Sequence, residues 1–413
     1  MLTGTNLEYT KQYNLRIVHE VIRLYGPLSR ADVARRTQLT GQTISNLVRE
    51  LIDSGLVYEA ERRSEGRGAP SVALALNPDG AYAVGLDLDR DHLTGVLVDL
   101  AGEVRQRLFF EIDGATPDEA LEMMAGAVDT LIERQGLSRS QVWGAGVGVP
   151  GPMHPAPDGN GYVVKPKAFP GWHNVPLDRL LQERVRLPVI LENNATAAAI
   201  GERWYGMGRE IRTFFYIYFG SGLGGGLIIR GEPFEGRSGN AGEIGYLPTM
   251  LAGDMDTNGD SPHVGLHFTL SRLYRALREM GEEVHAPEDL ERLLDAQHPR
   301  LVAWMDDAAD HLAGLVMAVE YLLDPDAIFF GGRLPARVLQ GLMDRVATQV
   351  PARRIGGKEV APDLVLATAG VDAGALGVAT IPLYRFFNPA AHVLMKPARK
   401  PQMRLKAPLA MLG

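Results

Sequence analysis

The apolar residues of this chain change their period at Asn77-Pro78-Asp79-Gly80, and no single repeating architecture accommodates that change. Upstream, residues 12–57 read as three helices. The first covers 14–25, with Leu15, Val18, Ile22 and Tyr25 at helical spacing. Gly26-Pro27 stops it. Ser29 and Asp32 form a capping-box start for a short second helix. Leu39-Thr40-Gly41 is a turn, Thr40 can cap a third helix, and that helix ends near Ser54-Gly55. Residues 56–60 and 72–76 then read as a small β-hairpin around an arginine- and glycine-rich tip. Downstream, compact apolar strands alternate with helices, which predicts an α/β body with at least two sheets. A chain of 413 residues has room for two or three domains. The expected division is a head at 1–76, a body at 77–388 and an extension at 389–413. Five basic residues and no acids in that last segment suggest a surface extension.

The third helix carries the sharpest chemical signal. Ile44, Leu47, Val48, Leu51 and Ile52 make one apolar stripe. Gln42, Thr43, Ser45, Asn46 and Arg49 are left for the other side. Short hydrogen-bonding groups and one arginine suit base edges and phosphates in a major groove. An ordinary solvated helix face would more often show Glu and Lys. Arg62, Arg63 and Arg67 lie at the hairpin tip, where a thin basic loop can enter a minor groove. In this order the pieces form a winged helix-turn-helix. A small helical bundle with a polar face is the plainer alternative.

Charge agrees with that division. The whole chain has a formal net charge of −8. Residues 1–76 carry 10 Lys and Arg against 8 Asp and Glu, and the remainder 32 against 42. Only the head is suited to approach phosphates. With no cysteine there are no disulfides and no thiolate metal sites, which fits a cytoplasmic protein. No apolar run is long enough to span a bilayer, and no secretory leader is expected.

The body carries an ordered series of motifs: Ala83-Val84-Gly85-Leu86-Asp87-Leu88, Gly146-Val147-Gly148-Val149-Pro150-Gly151-Pro152, Pro170-Gly171-Trp172-His173-Asn174, Leu191-Glu192-Asn193-Asn194-Ala195-Thr196, Gly220-Ser221-Gly222-Leu223-Gly224-Gly225-Gly226 and Gly239-Asn240-Ala241-Gly242-Glu243-Ile244-Gly245-Tyr246. Over residues 10–388 the series resembles the ROK family of repressors and sugar kinases, and with the head it resembles the repressor branch. The resemblance implies a two-lobed, actin-like (ribonuclease H-like) body with a sugar site in its cleft. It implies a homodimer or homotetramer presenting paired heads to double-stranded operator DNA. The implied effector site holds Gly171, Asn193, Asn194 and Glu243, with Tyr246 and His267 reshaping the pocket.

Departures from the family pattern argue against catalysis. Kinase members carry an Asp where this chain has Asn194, and an amide cannot take a proton at neutral pH. Asn194 can still hydrogen-bond a hydroxyl, or simply cap the helix that follows. After the first strand, Asp87-Leu88-Asp89-Arg90-Asp91-His92 replaces the small residues that cradle phosphate in ATP-using relatives. The second glycine-rich loop, 220–226, is retained. Tyr246 stands where many members hold zinc with a histidine, so no zinc and no other cofactor is expected. Residues 254–260 match the first half of a calcium loop, but Gly265 stands at the twelfth position instead of Glu. His263 and His267 lie nearby. The expectation is therefore a sugar-responsive transcription regulator with no catalytic residue. The alternatives are an active sugar kinase with a DNA-binding head, and a DNA-binding protein whose body only dimerises.

Overall fold

A computed structural model describes residues 7–63, 71–158, 161–165, 169, 171–248, 263–268, 270–355 and 360–387. Residues 61–63 and a few others are described in backbone only. Arg67, the 254–260 segment and the basic extension fall outside the described residues. So do the side chains of Arg62, Arg63 and His267.

The head comprises α1 (Leu7–Tyr25), β1 (Leu28–Ser29), α2 (Arg30–Thr37), α3 (Gly41–Asp53), β2 (Val57–Arg63) and β3 (Ser71–Leu76). Its local signals act as expected. Ser29 and Asp32 form a reciprocal capping box, and the Thr40 side chain accepts from the N–H of Thr43. Ile44, Leu47, Val48 and Leu51 are buried, while Ile52 is only half-buried. The strands order as β1-β3-β2, so the hairpin gains a third strand from the turn before α2. Helix α1 starts at Leu7 instead of residue 14. Its added turns are polar and held by a Lys11–Glu50 ion pair at 2.8 Å, which leaves no apolar period to read.

The body has two sheets of one topology. The first lobe orders β10-β7-β4-β5-β6. It is built from β4 (Tyr82–Leu88), β5 (His92–Asp99), β6 (Val104–Glu111), β7 (Val142–Val149) and β10 (Val189–Asn193). Helices α4 (Pro117–Arg134) and α5 (Leu177–Val185) pack on it, and a small hairpin, β8 (Met153–Pro155) and β9 (Tyr162–Val164), follows β7. The second lobe orders β13-β12-β11-β14-β15. Its strands are β11 (Phe214–Phe219), β12 (Leu223–Ile229), β13 (Glu232–Pro233), β14 (Ala327–Gly332) and β15 (Asp363–Leu366). In each lobe an antiparallel hairpin (β4–β5, β11–β12) precedes a parallel strand beside its first member (β7, β14). Helices α7 (Leu270–Glu279), α8 (Asp289–Asp295), α9 (Pro299–Leu323) and α10 (Ala336–Arg353) belong to the second lobe. This is the actin-like, ribonuclease H-like arrangement. Strands β4, β5, β7, β10, β11 and β14 are buried along their whole length, while the outer strand β6 is largely exposed.

Two helices tie the lobes and the head together. Helix α6 (Asn194–Tyr205) leaves β10 directly, and α11 (Ala373–Phe387) crosses it. A methyl group at Gly377 would lie 1.8 Å from the carbonyl oxygen of Ala197, so only glycine permits this crossing. One apolar cluster runs from Leu15, Val18 and Ile22 of α1 to Leu376, Ala379 and Leu383 of α11. The Arg23 guanidinium of α1 stacks 4.0 Å from the ring centre of Trp204, at the end of α6. Arg16 donates to the carbonyl of Arg385 at 3.3 Å. The head therefore rests on the far ends of the two helices that frame the cleft.

Candidate functional site

The reading face of α3 is built by its caps and its stripe. Gln42, Asn46 and Arg49 are exposed, and Thr43 and Ser45 are half-buried. Gln42 donates to Asn46 Oδ1 at 3.3 Å, an exposed contact that water or a base edge can replace. The Ser45 hydroxyl donates to the carbonyl of Gly41 at 2.8 Å and keeps its lone pairs open. Among the described residues no carboxylate pairs with Arg49. The first turn of α3 contains no acidic residue, so its helix dipole is unopposed there.

The cleft opens into a cavity of about 500 Å³ between the lobes. Asn193, Asn194, Glu243 and Tyr246 line it, with Asp89, Tyr218, Ser221 and His263. Gly171 is not among its lining residues. It sits exposed near Pro117, with φ 77°, and forms the turn before buried Trp172, whose Nε1–H is held by the carbonyl of Ala115 at 2.7 Å. The expectation that Gly171 joins the other three is thus not met in the geometry.

The cap at the head of α6 also differs from the expected one. Asn193, not Asn194, is the N-cap, and its Oδ1 accepts from the N–H of Ala195 at 2.8 Å. Its Nδ2 donates to Glu243 Oε1 at 3.1 Å. Asn193 therefore orients Glu243 and leaves that carboxylate's second oxygen to the cavity. Burial pushes the Glu243 carboxyl up to about 7. Asn194 donates to the carbonyl of Leu88 at 3.2 Å. Its Oδ1 is buried with no partner among the described residues, as are Asp87 Oδ1 and Tyr218 Oη. A methyl on Gly148 would come within 3.3 Å of that Asn194 oxygen and 2.9 Å of Asp87 Oδ1, so two open acceptors face one small space. Unsatisfied buried acceptors are costly, and a hydroxyl donor would satisfy them.

The first turn, between β4 and β5, is closed by its own charges. His92 Nδ1 lies 2.7 Å from Asp91 and its Nε2 3.8 Å from Asp87. Burial opposes charge on His92, but these carboxylates and Asp89 overcome it and lift the imidazole to about 9. Ligand atoms of Asp89, Asp91 and His92 lie within 4.8 Å of one another, and the protonated ring supplies positive charge there. At the mouth, His263 donates through Nδ1 to the carbonyl of Gly245 at 2.8 Å and lies 5.6 Å from the Tyr246 ring. Tyr246 is 42% exposed, at the rim.

Asp89, Ser221, Tyr218 and His263 were not singled out as site residues by the sequence. The altered first turn marks the neighbourhood of Asp89 and the glycine-rich loop that of Ser221, and His263 stands out only as a neighbour of the acidic 254–260 segment, while no local pattern marks Tyr218.

The comparisons with known proteins agree with this architecture. The ROK family model matches residues 83–383 and a MarR family model matches residues 12–68. The chain is 24% identical to a xylose repressor of Bacillus spizizenii, covering 92% of this chain and 97% of that one. A crystal structure of a ROK family transcriptional regulator, described as a homologue of the E. coli MLC protein, superimposes with a TM-score of 0.73 at 21% identity, covering 94% of this chain and 99% of that one. A ROK family glucokinase from Streptomyces griseus, in complex with glucose and AMPPNP, superimposes with a TM-score of 0.62 at 24% identity, covering 73% and 99%. The chain belongs to the ROK family, and with its MarR-type head it is a DNA-binding transcription regulator. Among the described residues no helix is long and apolar enough to cross a membrane.

Proposed function

We propose that this protein is a cytoplasmic repressor of sugar uptake or breakdown genes whose body binds a sugar, or a sugar derivative, without phosphorylating it. Its working parts are the head at 1–76, the body at 77–388 and the extension at 389–413. Gln42, Thr43, Ser45, Asn46 and Arg49 contact the major groove of operator DNA, and Arg62, Arg63 and Arg67 contact the minor groove or backbone. A homodimer or homotetramer pairs two heads, so the operator is a pseudo-palindrome. The effector's hydroxyls bind Glu243 and Asn194, with Asn193 holding Glu243 in place and Tyr246 and His267 shaping the rim.

The observation that carries the effector reading is the open buried acceptor Asn194 Oδ1 in a cavity that also receives the Glu243 carboxylate. A hydroxyl donor satisfies it. Isothermal titration with a panel of sugars tests it, beginning with xylose because the Bacillus relative is named for it. Saturable binding of a panel member that depends on Glu243 is the expected result.

The second reading, a sugar kinase with a DNA-binding head, draws on the retained glycine-rich turn and on the glucokinase likeness. Asn194 opposes it, since an amide cannot serve as the base. A coupled assay for sugar-dependent ATP hydrolysis separates the two, and no turnover is expected. Asn194→Asp alone is expected to leave turnover negligible, because the first turn still presents carboxylates to ATP.

A further inference from the structure

The two lobes repeat one topology, so the turn between β4 and β5 and the turn between β11 and β12 occupy equivalent places facing each other across the cleft. They meet through one side chain. Asp89 Oδ1 accepts from the Ser221 hydroxyl at 2.6 Å and from the backbone N–H of Arg90 at 2.7 Å. Asp89 Oδ2 accepts from the backbone N–H of Ser221 at 3.2 Å. The carboxylate is 2% exposed.

A backbone N–H and a hydroxyl on a glycine-flanked turn are the donors an incoming phosphate would use. Here they are already spent on an anion that belongs to the chain. We propose that Asp89 sets the chemistry of the effector: its carboxylate occupies the anion seat of the second turn, so the cavity accepts sugars that carry no phosphate and turns away their phosphate esters. This rests on the reading of the cavity as a sugar site.

Glu243 and Asn194 line the same cavity as the Asp89–Ser221 contact. A phosphate ester on a bound sugar must enter the remaining space, and Asp91 and Asp113 line it as well. Bringing a dianion beside these carboxylates is unfavourable, and the Ser221 N–H and hydroxyl, already bonded to Asp89, do not offset it. The lining residues Asp113, Arg90, Arg275 and Arg278 are exposed to water, where their charges are screened, which leaves buried Asp89 and half-buried Asp91 as the charges that weigh most on an incoming phosphate. The same contact bridges the lobes, so ligand binding need not supply the anion that would otherwise join the two turns.

The experiment is calorimetric titration of the full chain with matched pairs: xylose and xylose 5-phosphate, glucose and glucose 6-phosphate, N-acetylglucosamine and its 6-phosphate. Inorganic phosphate serves as a separate probe. The unmodified protein is expected to bind a free sugar at least about tenfold tighter than its ester, and to show no heat with millimolar phosphate. Asp89→Ala is expected to gain phosphate binding and to narrow the sugar-to-ester gap. Asp89→Asn keeps the shape and is expected to give a smaller shift in the same direction, so the proposal stays testable should the alanine variant fail to fold. Tighter binding of an ester by the unmodified protein overturns the proposal. Phosphate binding with Asp89 in place overturns it too, as does the absence of any phosphate gain in folded variants. Should no sugar bind at all, the sugar-site reading fails, while the phosphate titration still reads the anion seat.

Discussion

Gln42, Asn46 and Arg49 stand in water on α3, whereas Asn193 and Asn194 are 8% and 4% exposed at the start of α6. Both sets are polar, and both are presented by the N-terminal half or middle of a helix or by its cap. They differ in what surrounds them. The α3 groups are already hydrated, so an operator has to replace water contacts and adds phosphate attraction. The cleft groups have lost water and found incomplete protein partners, which leaves Asn194 Oδ1 open and lifts Glu243 to about 7. A solvated reading face is tolerant and additive. A desolvated pocket is demanding, because each unmatched group is costly.

The comparison breaks most sharply at Glu243. Glu243→Ala is expected to weaken sugar binding by about 1.5–3 kcal/mol, the range for hydrogen bonds to a charged group, and to leave operator affinity unchanged. Titration of each ligand separately checks it, and a full sugar response in the variant would move the site elsewhere. Arg49→Ala is the opposite case. Operator affinity should fall by about 1–3 kcal/mol if the side chain reads a base, with sugar affinity intact. Gel-shift or anisotropy titration measures it, and full affinity in the variant would take Arg49 out of the interface.

Acidity sharpens the contrast. Glu243 is ionised above about 7 and protonated below, and the ionised carboxylate is the better acceptor for a hydroxyl. Sugar affinity should therefore be full at pH 8 and fall by about tenfold, or about 1.4 kcal/mol, by pH 6. Binding near pH 7 should release protons, visible as a dependence of the titration heat on buffer. A flat profile, or affinity that rises with acidity, contradicts the assignment. Operator binding does not depend on Glu243 and should not follow this profile.

The smallest expected effect joins the two regions. Helix α6 begins in the cleft and ends at Trp204, under Arg23 of the head. Trp204 also meets Tyr384 of α11 edge-on at 5.2 Å, and Tyr205 bonds Thr380 at 3.1 Å. A displacement of α6 by a ligand moves these contacts with the head. Trp204→Ala is expected to reduce the coupling between sugar and operator by about 0.5–2 kcal/mol while leaving each separate affinity nearly as it was. Unchanged coupling would route the signal through β3 instead.

The contrast also explains what could be read from the sequence. The caps Ser29 and Thr40 and the stripe of α3 act within a few residues, so spacing exposes them. The two-sheet body was legible from its apolar runs, and its family from motifs in order. The cleft was legible only as a set of names. Asn193 finds Glu243 50 residues away and Asp89 finds Ser221 132 residues away, and no period encodes such pairs. The cap at α6 slipped by one residue because either of two adjacent asparagines satisfies the local rule. Gly171 follows its motif but serves the turn before Trp172. The Arg23–Trp204 contact joins segments with no shared pattern.

The central claim is that one chain links sugar binding in the cleft to DNA binding at the head. The direct measurement is the operator affinity with and without a saturating sugar, together with the affinity for that sugar with and without operator. Xylose is the first sugar to use, or whichever member of the panel binds tightest. Linkage requires both affinities to change by one common factor, expected to be at least about fivefold. A sugar that fills the Glu243 cavity and leaves operator affinity untouched would contradict the account.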